Sequence, residues 1–379
     1  MQLTEQHVID RNDPRFALID AAAFKSKNLY NAANYEMRQA YIHEGQYLNY
    51  YEIQRRMQSH EAYKALPAKV SQQILLVLDR NWKSFFEALK AYEEDPSKFL
   101  GRPRLPKYKH KAEGRNILIY TIQAMSKKSL KRGLVQPSML PISIKTQHKD
   151  IGQVRIVPRK GFYVVEVVYK RDPIQAKVDP SFCVGIDLGV TNLAAIASNR
   201  ASFVPRLVNG RPVKAWNQWY NKRLKALKKQ LPKEDRERVT RQMEWITTKR
   251  NRRIDHYLHT ASKHIVDFLV EEGIGTVIIG KNPLWKQECA MGRKNNQNFV
   301  SIPHARFIDM ITYKAQLVGI QVEVTEESYT SKASFLDLDA IPDYKSNDEE
   351  QHVFSGKRIG PRSRLYRTAD GRKISADIN

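Results

Sequence analysis

The sequence is poor in cysteine and has no long apolar run. Of its 379 residues only Cys183 and Cys289 are cysteines, and neither lies in a CxxC pair. A zinc ribbon cannot be built from them, and a disulfide framework is not expected. No segment reaches the roughly 18 apolar residues that a membrane span needs, and the first residues lack the apolar core of a signal peptide. We therefore expect a soluble protein of a reducing cytoplasm, with no membrane partner.

Acidic residues are scarce relative to basic ones. Lys and Arg total 64 against 40 for Asp and Glu, a formal net charge of +24. An excess of this size favours a polyanionic partner, most simply a nucleic acid, over a merely cationic surface. The hydrophobic content of 41% and the length of 379 residues allow two or three domains with cores of their own.

The first hundred residues predict a short strand followed by helices. Residues 1–18 read as a strand and a loop. Helical spacing begins at Asp20, a candidate N-cap, and Gly45 gives a stop signal. A second helix follows Pro67 and carries an apolar face that we assign to a helix-bundle core. That face comprises Val70, Ile74, Val77, Leu78, Trp82, Phe85, Phe86 and Leu89.

A basic connector, Gly101–Arg115, separates these helices from the next part of the chain. Its prolines, with Pro96 just upstream, exclude a long helix. Its cations together with Tyr108 suit a groove that follows a phosphate backbone, and a solvated linker is the equal alternative. The candidate nucleic-acid-binding residues here are Arg102, Arg104, Lys107, Lys109, Lys111 and Arg115.

The remaining sequence predicts β structure and then a mixed β/α pattern. Residues 117–170 read as short strands of a small barrel or sheet, and residues 171–181 as a boundary. A β-hairpin start followed by β/α alternation then predicts a mixed sheet with helices on its faces. Its elements are strands at 182–188 and 193–198, a third strand before an Asn209–Gly210 turn, helices at about 214–230 and 234–271, strand IGTVIIG, a helix near 303–318 and strand IQVEV. Its candidate nucleic-acid-binding residues are Lys249, Arg250, Arg252, Arg253, Lys286, Arg293 and Lys294.

One carboxylate stands inside the apolar stretch VGIDLGVTNLAAIA. A buried, unpaired carboxylate is costly, so Asp187 is expected to have a cation beside it. A two-metal phosphodiesterase site needs about three carboxylates that converge from strand ends, and Mg²⁺ prefers such oxygen ligands. Glu326 or Glu327, after a predicted strand, and Asp377, near the end, are the further candidates. Spacing alone is weak support, because 40 acidic residues offer many triplets.

Several ordered segments give more specific information. GIDLGVTNLAAIASN resembles the first RuvC motif of the TnpB family, the proteins encoded by the second reading frame of small insertion sequences. VIIGKNPLWKQE is similar to the segment around the second motif, residues 295–335 to the following helix, strand and TS signature, and LYRTADGRKISADIN to the approach to the third motif. KFLGRPRLPKYK is similar to the family's region between helical and barrel parts. The matches run from about residue 98 to the end.

The resemblance implies a multidomain α+β fold. The first part of a wedge β-barrel would lie at 1–18, a helical recognition region at 19–100 and the rest of the barrel at 101–175. A RuvC nuclease domain of the RNase H-like fold would occupy 180–379, with inserted helices at 214–271. Family members are RNA-guided DNA endonucleases of bacteria and archaea, often labelled transposases.

The same resemblance implies partners, cofactors and a site. A guide RNA from the element's end, double-stranded target DNA and a separate transposase would be the partners, in a nucleoid-associated cytoplasmic protein. Two Mg²⁺ ions would be held by the catalytic residues Asp187, Glu327 and Asp377. Guide pairing would supply sequence specificity while the protein holds backbones.

The chain departs from the family at the second motif. Many relatives carry a glutamate where Gly280 stands, and a subset supplies it from just before the TS signature. Glu327 fits that description and Glu326 is the near alternative; neighbours on a strand face opposite sides, so only one can enter the site. Glu288 is a weaker third option.

The C-terminal segment departs as well. Relatives commonly carry a four-cysteine zinc module after the TS signature, whereas this chain has none and places Ala333 where a cysteine is expected. We therefore expect no structural zinc. The chain stops inside the third motif, so we expect either a truncated chain or a missing terminal helix, with Asp377 poorly anchored.

Three other interpretations remain open. GIDLGVTN is close to the phosphate-binding opening of actin-like ATPases, but it begins late in a strongly basic chain without a later glycine-rich loop. A catalytically impaired DNA- or RNA-binding protein of the same fold is the main alternative. The third is a transposase that acts directly through a different acidic triad.

Overall fold

The computed structural model describes residues 1–282, 286, 292–327, 329–342, 352–360 and 365–379, without the side chains of Arg293 and Lys294. The chain divides into two compact units, Met1–Arg171 and Asp172–Asn379. None of the described helices is long and apolar enough to span a bilayer.

Unit 1 combines long helices with a small antiparallel sheet. Its elements are β1 Gln2–Asp10, α1 Phe16–Glu44, α2 Tyr50–Met57, α3 Glu61–Lys64, α4 Ala68–Glu94, a 3₁₀ turn Pro96–Lys98, β2 Leu118–Thr121, a 3₁₀ turn Ile122–Ala124, α5 Lys127–Lys131, β3 Leu134–Val135, β4 Ile144–Lys145, β5 Ile151–Arg159 and β6 Phe162–Lys170. Strands β1, β6, β5 and β2 form a four-stranded sheet in that order.

The core of unit 1 joins α1 and α4. The predicted apolar face of α4 is confirmed at its centre, where Ile74, Leu78 and Trp82 are fully buried. Burial of the Trp82 ring leaves its indole N–H in need of an acceptor, and the Asn34 Oδ1 atom accepts it at 3.1 Å. The Asn34 amide in turn donates to the Pro106 carbonyl at 3.0 Å. Asn34 therefore links the helical core to the connector.

The predicted start of α1 is wrong. The helix begins at Phe16, so Asp20 lies within it and caps nothing. Its carboxylate instead accepts two bonds from the Arg115 guanidinium, at 2.9 and 2.7 Å, and one from the Tyr163 hydroxyl at 2.7 Å. The Arg115 hydrogen bonds hold the pKa of Asp20 below its usual value against the effect of burial. The stop at Gly45 is confirmed, with a φ of 66° that favours glycine.

Unit 2 is built on a mixed sheet. Its elements are β7 Asp179–Asp187, β8 Asn192–Ser198, β9 Arg206–Asn209, α6 Arg211–Lys229, α7 Arg241–Glu271, β10 Ile274–Gly280, α8 Arg293–Val300, α9 His304–Gln316, β11 Gln321–Thr325, β12 Lys357–Arg358, β13 Leu365–Arg367 and β14 Lys373–Ser375. The sheet order is β11-β10-β7-β8-β9.

Strand direction changes within this sheet. β7, β8 and β9 are antiparallel neighbours, whereas β10 runs parallel to β7 and β11 parallel to β10. The predicted mixed sheet is thus confirmed, and apolar residues of α7 and α9 pack on it. The predicted helix start at 234 is wrong: α7 begins at Arg241, because Thr240 caps it by accepting the Met243 N–H at 3.3 Å.

Two aspartates join the described parts of the C-terminal segment. Asp339 accepts the Ser334 N–H at 2.7 Å and the Ser355 N–H at 3.0 Å. Asp337 accepts the Ser334 hydroxyl at 2.5 Å and the Ala369 N–H at 3.0 Å. These bonds bring together stretches far apart in sequence, next to the strands β12–β14. The expected lack of structural zinc stays a prediction.

Replacement of Asn34 by Ala should destabilise unit 1. The change leaves the buried Trp82 N–H without its acceptor, which costs about 1–3 kcal/mol of unfolding free energy. Urea unfolding followed by circular dichroism measures it. The exposed Gln58 provides a matched control, since Gln58→Ala should stay within about 0.5 kcal/mol of the parent. Equal stability of the two variants would contradict the assigned role of Asn34.

Candidate active site

Three adjacent strands end in one row at the same edge of the sheet of unit 2. Ile186 on β7 is in register with Ile279 on β10, so the next row contains Asp187 and Gly280, and Gly280 is paired with Thr325 on β11. Residues of one row point to the same face, and neighbouring strands lie about 4.8 Å apart. A side chain at position 280 would therefore lie beside the Asp187 carboxylate.

The carboxylate of Glu327 occupies that place. A Cβ atom added to Gly280 would lie 2.7 Å from the Oε2 atom of Glu327 and 3.1 Å from its Cβ. These distances are too short for ordinary packing, so a side chain at position 280 would require the Glu327 side chain to move. The carboxyl groups of Glu327 and Asp187 interact through a hydrogen bond. The displaced glutamate thus reaches the space beside Asp187 from the end of the next strand.

Asn282 fixes the backbone of Glu327. The Glu327 N–H donates to the Asn282 Oδ1 atom at 2.6 Å, and the Asn282 amide donates to the Glu327 carbonyl at 3.3 Å. Just before, the Lys281 N–H donates to the Thr325 carbonyl at 2.8 Å. The side chain of Asn282 therefore continues the pairing of β10 and β11 beyond their ends. This pairing sets the backbone from which the Glu327 side chain returns over Gly280.

Burial and like charge act together on the two carboxyl groups. Burial raises the pKa of Asp187, the charge of Asp377 raises it further, and the charge of Arg358 opposes the shift. Burial and the charge of Asp187 raise the pKa of Glu327. Within the described parts of the chain, no lysine or arginine forms an ion pair with either carboxylate. Their repulsion is therefore not relieved by a direct protein cation.

Asp377 lies near this pair but is held separately. It follows β14, and its Oδ2 atom accepts a hydrogen bond from the Asn192 amide at 2.6 Å. No three His, Cys, Asp or Glu side chains among the described residues form a metal-binding cluster. The structure thus brings Asp187 and Glu327 together and leaves Asp377 outside their immediate contact. Two adjacent carboxyl groups that share a proton and have no ion-paired lysine or arginine fit a hard divalent cation such as Mg²⁺, which would replace that proton.

The two alternatives for the glutamate differ in position. The side chain of Glu326 is exposed, whereas Glu327 is partly buried against Asp187. This is the opposite-face relationship expected of strand neighbours. Glu288 lies outside the described residues.

His304 is a further residue of the site region that the sequence did not point out. It begins α9, is fully buried, and its Nε2–H donates at 3.1 Å to the carbonyl of Gly189, in the turn that follows Asp187. Burial lowers the pKa of His304 to about 4, and the charge of Lys286 adds to that shift. The ring is therefore neutral at pH 7.

The sequence analysis also missed Asn282 and Asn192, although both stand inside the motif segments. The available signal was a short polar residue following a predicted strand.

The predicted nucleic-acid-binding residues of the connector fall into two groups. Five of them are exposed: Arg102, Arg104, Lys107, Lys109 and Lys111. Arg115 differs, because Asp20 binds its guanidinium through two hydrogen bonds. Arg115 therefore stabilises unit 1 in this structure.

The predicted cations of unit 2 lie mostly against aromatic rings or carbonyl groups. Lys249 lies over the rings of Trp219 and Trp245, at 5.8 and 4.6 Å. Arg250 binds the Asn217 side chain and the Ser301 carbonyl. Arg253 lies 3.8 Å from the centre of the Trp216 ring, and with Arg252 it lines a cavity of about 410 Å³. Lys286 donates to the Ile302 carbonyl. The side chains of Arg293 and Lys294, at the start of α8, are not described.

Two family models match this unit and the end of unit 1. The family described as a probable transposase, OrfB of IS605, matches residues 166–285, which include β7, β8 and β10. The Cas12f1-like TNB domain matches residues 304–379. The resemblance to the TnpB family is confirmed. Neither of these two family models describes an actin-like ATPase.

A solved structure of a Cas12f1 complex is similar in fold to this chain. The chain is similar to Cas12f1 in its complex with single-guide RNA and target DNA, with a TM-score of 0.50, 15% identity, and coverage of 83% of this chain and 74% of that one. A Cas12f ternary complex matches with a TM-score of 0.34, 16% identity, and coverage of 84% and 72%. A search of curated proteins found no significant match. At 15% identity the likeness to Cas12f1 shows the fold alone, a multidomain α+β fold.

Stability should fall as the pH drops below the usual pKa of histidine. The pKa of His304 is about 4 in the fold against 6.5 normally, so the unfolded chain binds more protons between these values. We expect a loss of about 1–2 kcal/mol from pH 7.5 to 5 that His304 accounts for. Urea unfolding at both pH values measures it in the parent and in His304→Gln, whose amide keeps a donor for Gly189. An equal pH dependence in both proteins would contradict the assignment.

Proposed function

We propose that this protein is a transposon-encoded, RNA-guided DNA endonuclease that cleaves phosphodiester bonds by a two-metal RuvC mechanism. The observation that carries the proposal is the juxtaposition of Asp187 and Glu327 over Gly280. If the second-motif glutamate had been lost without replacement, the space over Gly280 would not be expected to hold a carboxylate. In this structure the Glu327 carboxylate occupies it. The function would be cleavage in the transposition or retention of an insertion sequence.

The sheet of unit 2 supports the nuclease assignment. The resemblance to the TnpB family implies an RNase H-like fold, a mixed sheet with flanking helices. The sheet in the order β9-β8-β7-β10-β11 is mixed, and Asp187 stands at the end of β7, where a two-metal site needs its carboxylates. For unit 1 we propose that the sheet of β1, β6, β5 and β2 belongs to the wedge barrel, and that α1–α4 form the recognition region.

The protein side chains hold and orient the reactants in this proposal. Asp187, Glu327 and Asp377 would hold Mg²⁺. When bound, two such ions stabilise the charge on the attacking and leaving oxygens of a phosphodiester. The sheet fixes Asp187, the Asn282 amide fixes the backbone of Glu327, and Asn192 holds Asp377 close by. Guide RNA and double-stranded target DNA are the proposed partners, in keeping with the net charge of +24 and with the RNA and DNA bound by the similar Cas12f1.

One observation favours a second candidate function. Asp377 is bonded to Asn192 and does not complete a three-ligand cluster within the described residues. A protein that binds RNA and DNA without cutting is therefore the alternative to be tested against the nuclease.

A single preparation separates the two. The protein is purified with its bound RNA, that RNA is sequenced, and cleavage of a matching DNA duplex is measured with and without Mg²⁺. RNA-dependent, Mg²⁺-dependent cleavage supports the nuclease. RNA-dependent binding without cleavage supports the alternative, and a preparation without bound RNA would overturn both RNA-guided assignments.

Asp187→Ala and Glu327→Gln should each abolish cleavage. Each removes a proposed metal ligand, so the loss should exceed the roughly 10- to 100-fold cost of changes around such ligands. Cleavage is measured under single-turnover conditions. Glu326→Gln is the matched control and should cut like the parent, because its side chain is exposed. Affinity for nucleic acid should persist in all three, and equal cleavage by the Glu326 and Glu327 variants would refute the relocated carboxylate.

Moving the glutamate back should restore part of the activity. Positions 280 and 327 compete for one volume, and a side chain at 280 lies in the same row as Asp187. Glu327→Gly alone should be inactive, whereas the double variant Gly280→Glu/Glu327→Gly should regain measurable Mg²⁺-dependent cleavage. Gly280→Glu alone should cut less than the double variant, because its new side chain must first displace that of Glu327. A double variant as inactive as Glu327→Gly would contradict this geometry.

A further inference from the structure

The connector has no helix or strand, yet its stretch from Pro106 to Lys111 is held in place by side chains of α1. One row of polar side chains on α1 bonds its backbone: the members are Lys27, Asn31, Asn34 and Arg38, here called the polar row. They follow each other at intervals of four, three and four residues, which places them on one face of a helix. The α1 residues between them contribute to the buried core of unit 1.

Each member of the polar row binds a main-chain group of the connector. The Lys27 ammonium donates to the Lys111 carbonyl at 2.6 Å. Asn34 and Arg38 both donate to the Pro106 carbonyl at 3.0 Å. These bonds fix the connector at two points along its length.

Asn31 makes the most complete of these contacts. Its amide donates to the Lys109 carbonyl at 2.9 Å, and its Oδ1 atom accepts the Lys109 N–H at 2.8 Å. A single side chain thus satisfies both backbone groups of one connector residue, as a neighbouring strand would.

This arrangement leaves the connector's cationic side chains without acidic partners, although the Lys109 ammonium also lies 5.3 Å from the centre of the Tyr30 ring. Arg102, Arg104, Lys107, Lys109 and Lys111 are exposed, and within residues 1–282 none of them forms an ion pair. By contrast, Arg115 at the end of the connector is bound by Asp20. Lys27 adds a cation beneath the connector, since its side chain is 3% exposed and its hydrogen bond goes to a neutral carbonyl. Three exposed cations thus lie on the held stretch, two lie just before it and one buried cation lies beneath it, all without acidic partners.

A polyanion of regular charge spacing fits this segment. An extended chain places alternate side chains about 6.6 Å apart on one side, comparable with successive phosphates of a nucleic acid strand. Tyr108 stands among these cations with 44% of its surface exposed. The Arg38 guanidinium lies 5.2 Å from the centre of its ring, and the exposed part of the ring offers a surface for stacking. An acidic protein segment would need no such regularity and would leave that ring without a base.

We infer that the connector, held by the polar row of α1, is a preorganised ridge that binds the phosphate backbone of a nucleic acid strand. Ordering a loose chain on binding costs conformational entropy, and the polar row removes that cost beforehand. Asn31 is a positioning residue for this contact although it carries no charge. The inference does not depend on cleavage and goes beyond the proposed chemistry of unit 2.

The test measures binding by the full-length protein in EDTA, where no cutting occurs. The protein is freed of copurified RNA, and the probes are fluorescent 20-nucleotide single strands of RNA and of DNA and an RNA–DNA hybrid. Fluorescence anisotropy is recorded at several salt concentrations. Lys107→Gln/Lys109→Gln/Lys111→Gln should reduce the slope of log affinity against log salt by about 2–3, because three phosphate contacts are lost. The control Lys64→Gln/Lys69→Gln/Lys90→Gln removes the same charge from exposed sites on α3 and α4 and should change the slope much less.

Asn31→Ala tests the polar row without a change of charge. We expect affinity to fall about five- to tenfold, as the loss of two modest hydrogen bonds predicts, while the salt slope stays that of the parent. Gln58→Ala should bind like the parent, and thermal unfolding verifies that each variant is folded. Weakening of any one probe supports the ridge and identifies its strand. Equal slopes for the two triple variants would overturn the ridge, and equal affinity of Asn31→Ala and Gln58→Ala would overturn the role of the polar row.

Discussion

The placement of two carboxyl groups side by side is the constraint on which the candidate site of unit 2 depends. Asp187 and Glu327 are partly buried side by side, and burial together with like charge raises the pKa of Glu327. Two such carboxyl groups do not readily ionise together, so they share a proton, as their hydrogen bond shows, or take up a cation. Here the sheet register fixes Asp187, the absence of a side chain at Gly280 leaves room, and Asn282 binds both main-chain groups of Glu327. A site that concentrates negative charge in this way is suited to bind cations.

In both units, asparagine side chains bind main-chain groups of segments outside helices and strands. Segments that leave regular structure carry main-chain N–H and C=O groups that need partners. Asn282 supplies them beyond β10 and β11, and Asn31 and Asn34 supply them to the connector. An amide can donate and accept at once, so it can replace a neighbouring strand at a single residue. These residues place functional segments without taking part in chemistry themselves.

Charge is divided between the units in a way that suits the proposed function. The five exposed connector cations of unit 1 have no acidic partners, although Lys109 lies over the Tyr30 ring. Most of the predicted cations of α7 lie against aromatic rings or carbonyl groups. Net charge alone therefore does not identify a binding surface; the bonds that a cation already makes decide whether it is available. The same reasoning separates Arg115, bound by Asp20, from its neighbours in the connector.

Local pattern predicted much of this protein. The strand IGTVIIG was found with its bounds, because a short apolar run followed by a polar loop is typical of a buried strand. The apolar face of α4 and the stop at Gly45 were also found. The helical spacing of apolar residues and the preference of glycine for left-handed backbone can both be recognised from a few adjacent residues. The start of α1 was misplaced because Asp20, a good capping residue by type, is used by Arg115, which lies far along the chain.

The candidate site was also predicted only in part from the sequence. The sequence alone determined that Asp187 lies within an apolar strand, that Gly280 has no carboxylate, and that two adjacent glutamates follow a predicted strand; the structure showed that the first strand ends at Asp187. Only the tertiary structure decided between those glutamates, because the parallel pairing of β10 and β11 brings Glu327 over Gly280 and leaves Glu326 exposed. Contacts between residues far apart in sequence, such as Asn192 with Asp377 or Asn31 with Lys109, depend on how elements pack. No local pattern carries that information, and it therefore had to come from the fold.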